Sequence, residues 1–288
     1  MNALAQHPIT PREQLDFKLD ASIPKYWFNQ DAFKTRFLDA VSVTFPEGER
    51  YFMTCMRQFR DQITDENLRE DVMSFNRQEA QHGIVHTTFN NLLKDQGLPV
   101  AELNAEQRRR LNAAVQRLPA SFNLAITAAC EHITALMAEI FFADPDFLKH
   151  ADYRVRAMLA WHAMEEMEHK AVAFDTMQKV AQVGYIERSL AMLFLTSIFV
   201  YLRIKDTNVF LRADGFSKTE RVTMLVKNLP WLFGKKGIVR VMTTPWLEYF
   251  KPGFHPWQQV ALPQYQVWLA HYIKTGDPIA ASEVLFAK

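Results

Sequence analysis

Residues 161–169 read Trp-His-Ala-Met-Glu-Glu-Met-Glu-His, and residues 78–86 read Gln-Glu-Ala-Gln-His-Gly-Ile-Val-His. Each stretch holds a Glu-x-x-His: Glu79 with His82, and Glu166 with His169. Both lie in long proline-free segments, which reads as helix. Side chains three and four apart share a helix face, so at about 100° per residue Glu79, His82 and His86 fall in one sector. His162, Glu166 and His169 fall in another. A lone glutamate on its own helix-like stretch precedes each motif, Glu49 before the first and Glu131 before the second. Carboxylates and imidazoles projecting inward from four helices are how a four-helix bundle holds two metal ions in its core. One Glu-x-x-His arises often by chance; two, each preceded by a glutamate-bearing helix, are far more specific.

Each residue has a plainer alternative. Glu49 sits in Pro46-Glu-Gly-Glu-Arg50, near a helix start, where surface acids are favoured by the helix dipole. The apolar Tyr51-Phe52-Met53 that follows marks a buried face there. Glu131 lies in a nearly uncharged run, Leu124 to Met137, and a buried carboxylate requires a metal, a cation or a proton. Its neighbour His132 points about 100° away and reads as a core or surface histidine. Glu165 borders the same face as Glu166. Glu166 is preferred because it lies nearer the middle of the His162/His169 sector; Glu165 is read either as a partner behind the ligands or as a ligand when carboxylates shift. Glu168 points elsewhere and reads as solvated. His86 is read either as an eighth ligand or proton relay, or as a hydrogen-bonded core histidine. The expected metal ligands are therefore Glu49, Glu79, His82, Glu131, His162, Glu166 and His169.

The rest of the chain reads as helix too. Only 9 of 288 residues are Gly, and Pro falls mainly between periodic segments. Helices are expected from about Asp31 to Thr44, from Pro46 to near Thr64, and from Glu66 to about Lys94. Further ones run from Ala105 to Arg117, from Ser121 to Asp144-Pro145, and from Asp152 to Val183. Leu190 to Leu202 is almost wholly apolar but only 13 residues long. That is short of the ~20 needed to span a bilayer, so a buried helix is expected. The division is one helical domain with an N-terminal arm (1–28), a metal-binding bundle (31–184) and an aromatic-rich helical extension (186–288).

A net charge of +1, from 33 basic and 32 acidic residues, and the lack of a basic tract with interleaved aromatics give no sign of a nucleic-acid surface. Arg108-Arg109-Arg110 is a solvated helix face. Cys55 and Cys130 read as buried free thiols of a reducing compartment, and residues 1–28 lack the apolar run of a signal peptide. A cytoplasmic protein is expected.

The pattern Glu49, Glu79-x2-His82, Glu131, His162-x3-Glu166-x2-His169 resembles the ferritin-like di-iron carboxylate superfamily. The additional histidine four residues before the second motif glutamate resembles the arylamine N-oxygenases of the p-aminobenzoate type. Gln78 to His86, Trp161 to Lys170 and Phe254-His255-Pro256-Trp257 also look like a bacterial family of predicted metal-dependent hydrolases. The resemblance implies an all-α, ferritin-like four-helix bundle with a helical C-terminal extension. It implies two iron ions, with manganese or a mixed iron–manganese pair as alternatives. The expected function is O2-dependent oxidation of a small apolar or aromatic substrate, and the alternative is hydrolysis at a dinuclear metal centre. No catalytic group beyond the metal centre is assigned. An electron-donor protein, peripheral membrane contact and a homodimer are the partners left open. Iron storage fits less well, because storage bundles do not need the extension.

Overall fold

The computed structural model describes residues 8–143, 147–259 and 263–286. Their regular structure is helical and begins at Ala32; among the described residues there is one isolated antiparallel bridge, Phe28 with Ala151, and no strand. In chain order the helices are α1 (Ala32–Ser42), α2 (Phe45–Arg57), α3 (Glu66–Asp95), α4 (Val100–Arg117), α5 (Ala120–Ala143) and α6 (Tyr153–His169). There follow α7 (Val172–Asp175), α8 (Tyr185–Ala213), α9 (Lys218–Phe233), α10 (Ile238–Glu248), α11 (Pro263–Thr275) and α12 (Pro278–Phe286).

Local signals set these bounds. The Asp31, Asp65 and Asp152 carboxylates accept hydrogen bonds from the first-turn amides of α1, α3 and α6. Pro46 sits in the first turn of α2, where its missing N–H costs nothing. Gly97, at φ +91°, ends α3 in the left-handed region that glycine tolerates. Two expected spans are shorter in the structure. The α2 helix stops at Arg57, before a single turn at Arg60–Gln62. The helix expected from Asp152 to Val183 breaks after His169, where Lys170 turns to donate to the Gln259 carbonyl (3.2 Å) and lies over the Trp257 ring. The expected end of α5 at Asp144-Pro145, and the first seven residues of the arm, lie outside the described residues.

The helices that carry the expected ligands pack together: α2 against α3 and α5, and α6 against α3 and α5. Alanines 125, 128, 129, 135 and 138 along α5 keep it thin, so its neighbours approach closely. Two apolar clusters flank this core, one around Trp27, Phe89 and Trp161, the other around Tyr51, Phe75 and Phe174. The arm is part of the core. Phe17 packs on Trp161, and Trp27 donates from Nε1 to Asp39 (2.8 Å). The paired α11 and α12 close over α6, and α8 lies along α1 and α5.

The α8 helix departs from expectation. It is not buried: Ile186 is 72% exposed, Tyr201 66% and Ile204 57%. Its apolar residues surround the helix, while the bundle offers it one face only, so the outer side stays uncovered. Among the described residues, two helical stretches are apolar and long enough to cross a membrane, Ala120–Phe141, which is mostly buried, and Tyr185–Ala213, which is mostly exposed. Cys55 is buried as expected, whereas Cys130 is only half-buried.

Candidate metal centre

All seven expected ligands are buried, none more than 5% exposed. They form two adjoining groups: Glu49, His82 and His162 in one, and Glu79, Glu131, Glu166 and His169 in the other. In each group one oxygen or nitrogen from every residue lies within 4.8 Å of the others. His169 Nε2 is 3.2 Å from Glu79 Oε1, 3.4 Å from Glu131 Oε2 and 3.6 Å from Glu166 Oε2. His162 Nε2 is 2.9 Å from Glu166 Oε1, and His82 Nδ1 is 3.6 Å from Glu79 Oε1. These last two contacts join the groups, and within the first the rings of His82 and His162 stack at 4.1 Å. Gly83 of α3 faces α2, where a Cβ would make ordinary contact with Glu49 Oε2 at 3.4 Å.

Each imidazole is held from behind through its other nitrogen. His169 Nδ1 is 2.8 Å from Gln78 Oε1, His82 Nε2 is 3.1 Å from Glu165 Oε2, and His162 Nδ1 is 2.8 Å from His86 Nε2. The Gln78 and Glu165 oxygens can only accept, so each fixes a tautomer whose free lone pair faces the carboxylates. His86 is anchored in turn by Ser42 Oγ at 2.8 Å. It belongs to neither group and stands behind His162.

The donor set fits metal ions. Both oxygens of Glu49, Glu79 and Glu131, with His82 Nδ1 and His169 Nε2, are buried without a hydrogen bond. Buried polar atoms are ordinarily paired, and these converge on common points. Burial pushes the Glu49 and Glu131 carboxyls well above the usual range, and the nearby carboxylates Glu79 and Glu166 respectively add to it. Burial lowers the pKa of His86 and His162, with neighbouring histidines reinforcing it. Against the lowering by burial, Glu165 and Glu79 hold His82 well above the ordinary imidazole value, and Glu166 holds His169 above it. The site thus concentrates carboxylate oxygens and imidazoles whose protons a cation would displace.

Glu165 and Glu166 take different places. Glu166 sits in the four-membered group, whereas Glu165 turns to His82 and to Arg12 Nη1 at 2.9 Å. Glu168 is not solvated as expected but 1% exposed. It accepts from Arg12 Nη2 (2.6 Å), Gln78 Nε2 (2.7 Å), Tyr265 Oη (2.7 Å) and the Thr10 amide (3.0 Å). The reason is that α6 is covered on every side, by the arm as well as by α11 and α12. Arg12, Gln78 and Tyr265 were invisible in the spacing pattern, since their partners lie far away along the chain.

An apolar cavity of about 240 Å³ adjoins the centre, lined among others by Phe45, Tyr51, Phe52, Thr134, Phe194 and Phe199. A small space lined by His162 and Glu166 shares Phe45, Thr134 and Met137 with it. Phe45 packs on the His162 ring at 4.6 Å, and Thr134 Oγ1 is 2.5 Å from Glu166 Oε2. Phe45 and Thr134 therefore link cavity and ligands.

Fold and site together define an all-helical protein with carboxylate and imidazole groups suited to metal ions. The chain belongs to the family of predicted metal-dependent hydrolases, whose sequence model matches residues 10–259. No curated protein and no solved structure matches the chain. The family description agrees with hydrolysis, the alternative of the two reactions expected from the sequence, and nothing in the comparisons supports O2 activation.

Proposed function

We propose that this chain is a metal-dependent hydrolase with a dinuclear centre held by Glu49, Glu79, His82, Glu131, His162, Glu166 and His169, in a ferritin-like arrangement of α2, α3, α5 and α6. The observation that carries this reading is the set of buried, unbonded oxygens and nitrogens that converge from four helices. The family description supports hydrolysis. An oxygen-rich set suits iron or manganese better than zinc.

Two divalent ions in such a site supply Lewis-acid polarisation of a substrate oxygen and a supply of hydroxide near neutral pH. The chain supplies the rest. Gln78, Glu165 and His86 hold the three imidazoles in place. Phe45 and Phe52 exclude bulk water and receive the apolar part of a substrate, which points to an ester or amide with a sizeable hydrocarbon group. The test is metal analysis of the purified protein, followed by hydrolysis of p-nitrophenyl acyl esters and anilides under air and under nitrogen. Hydrolysis that needs the metal and ignores O2 is the expected result. Metal-loaded protein that hydrolyses none of them overturns this reading.

Oxidation is the second reading, with two irons and an electron-donor protein. What favours it is the position of His162 beside Glu49 and His82, which makes a seventh ligand like that of the arylamine N-oxygenases. Iron-dependent O2 uptake with an arylamine or other aromatic substrate, in the absence of hydrolysis, would select it.

A further inference from the structure

One outer face of α8 carries uncovered apolar residues: Ile186, Leu190 and Leu193, then, past the exposed Ser197, Tyr201 and Ile204, with Phe194 beside them. A second stripe runs along α9 through Val222, Val226, Leu229 and Phe233. Arg221 joins the two helices by donating from Nε to Asn208 Oδ1 at 2.9 Å. Scattered apolar residues on a surface are ordinary, but contiguous stripes on neighbouring helices mark a contact surface.

Charge indicates what covers it. Residues 185–251 hold eleven Lys and Arg against five Asp and Glu, a net charge of +6 in a chain whose total is +1. No acid occurs between Glu187 and Asp206, and Lys218, Lys227, Lys235 and Arg240 are exposed. Apolar stripes among cations match the boundary of an anionic bilayer. Two copies meeting through this face would bring like charges together. The helix lies on the bundle rather than leaving it, since Arg188, Ala191, Met192 and Phe210 are buried and α8 packs along α1 and α5.

The cavity beside the metal centre lies under the same helix. Phe194 and Ile198 line it and are also 45% and 38% exposed, so cavity wall and outer surface share residues. We propose that the α8–α9 face docks the protein on an anionic lipid bilayer, and that the cavity takes the acyl chain of an amphiphile drawn from it. Docking stands on the surface alone; the acyl substrate rests on the proposed hydrolase reading.

The experiment is co-sedimentation of the full-length, metal-loaded protein with phosphatidylcholine vesicles, with and without phosphatidylglycerol. Binding is expected to the anionic vesicles only and to weaken with salt. Tyr201→Glu with Ile204→Glu should reduce it about tenfold or more while helicity and bound metal stay unchanged. Lys227→Glu with Lys235→Glu should weaken it without touching the apolar stripe. No binding to either vesicle overturns docking. So does a dimer in ultracentrifugation that Tyr201→Glu and Ile204→Glu dissociate, or resistance of the bound protein to alkaline extraction, which marks a spanning helix. For the substrate, the same pair should lower hydrolysis of a vesicle-embedded acyl ester and spare that of a soluble short-chain ester; equal loss on both overturns delivery from the bilayer. Glu131→Gln should abolish hydrolysis and leave vesicle binding intact, which separates failure of docking from failure of the hydrolase reading.

Discussion

Glu165 Oε2 lies 3.1 Å from His82 Nε2, and its other oxygen accepts from Arg12 Nη1 at 2.9 Å. A residue of the N-terminal arm thereby fixes, through one carboxylate, which nitrogen His82 turns toward the centre. Glu165→Gln keeps the size of this partner but removes its charge, so the imidazole becomes a weaker ligand. Metal affinity should fall roughly 10–100-fold with stoichiometry retained. Glu166→Gln should lose metal outright. Competition titration against a chelator distinguishes the two; equal losses would show that Glu165 ligates directly.

Glu131 is held well above the ordinary carboxylate range by burial and then by Glu166. Without metal it keeps a proton, and binding must displace that proton. Glu131→Gln mimics the protonated form, so metal-free wild type and variant should melt within a degree or two of each other. Metal at 100-fold over Kd stabilises by about 2.7 kcal/mol per site. Wild type should therefore gain several degrees on adding Mn2+ or Fe2+, and the variant much less. Differential scanning fluorimetry with and without metal measures both.

The convergence of the candidate ligands was legible because a helix converts local spacing into a shared face: Glu79 with His82, and Glu166 with His169, need no knowledge of the fold. The choice between Glu165 and Glu166 was less sharp, since both border one sector; the structure separates them through Arg12, which is 153 positions from Glu165. The burial of Glu168 was not legible for the same reason. Its four partners come from the arm, from α3 and from α11, and a helical period carries no information about which elements cover a face. The exposure of α8 was hidden because apolarity alone does not say how many neighbours a helix has.

Arg12 is 4% exposed and bridges Glu165 and Glu168, with its guanidinium over Trp268 at 5.2 Å. Arg12→Met would leave two buried carboxylates without their cation. Removing one partner of a buried ion pair costs about 3–5 kcal/mol, so the urea midpoint should fall steeply. Arg12→Lys keeps the charge without the two-pronged geometry and should fall between. A loss under about 1 kcal/mol in Arg12→Met would show that Gln78 and Tyr265 satisfy Glu168, and His82 satisfies Glu165, without the cation.

Ala114 lines the apolar cavity on α4, away from the ligands. Ala114→Phe fills part of the space, and overpacking costs about 1–3 kcal/mol where it does not fit. The expected kinetic effect is chain-length dependent: KM should rise for long acyl esters and stay unchanged for acetyl esters. An equal effect on both would place the substrate outside this cavity.

Asp39 is fully buried between Arg36 Nη1 at 2.7 Å and Trp27 Nε1 at 2.8 Å. Burial raises its pKa to about 6 from an ordinary 3.8, outweighing the lowering by Arg36 and Trp27. The folded protein thus holds the Asp39 proton more tightly than the unfolded chain does. The stability this provides is complete below the unfolded value and is lost as pH rises through about 6. Asp39→Asn removes the titration and leaves the rest of the pH dependence in place. Wild-type stability relative to Asp39→Asn should fall by roughly 2–3 kcal/mol between pH 4 and pH 7, read from urea unfolding at stepped pH. A difference independent of pH would mean that Arg36 keeps Asp39 ionised in the folded protein as readily as water does in the unfolded one.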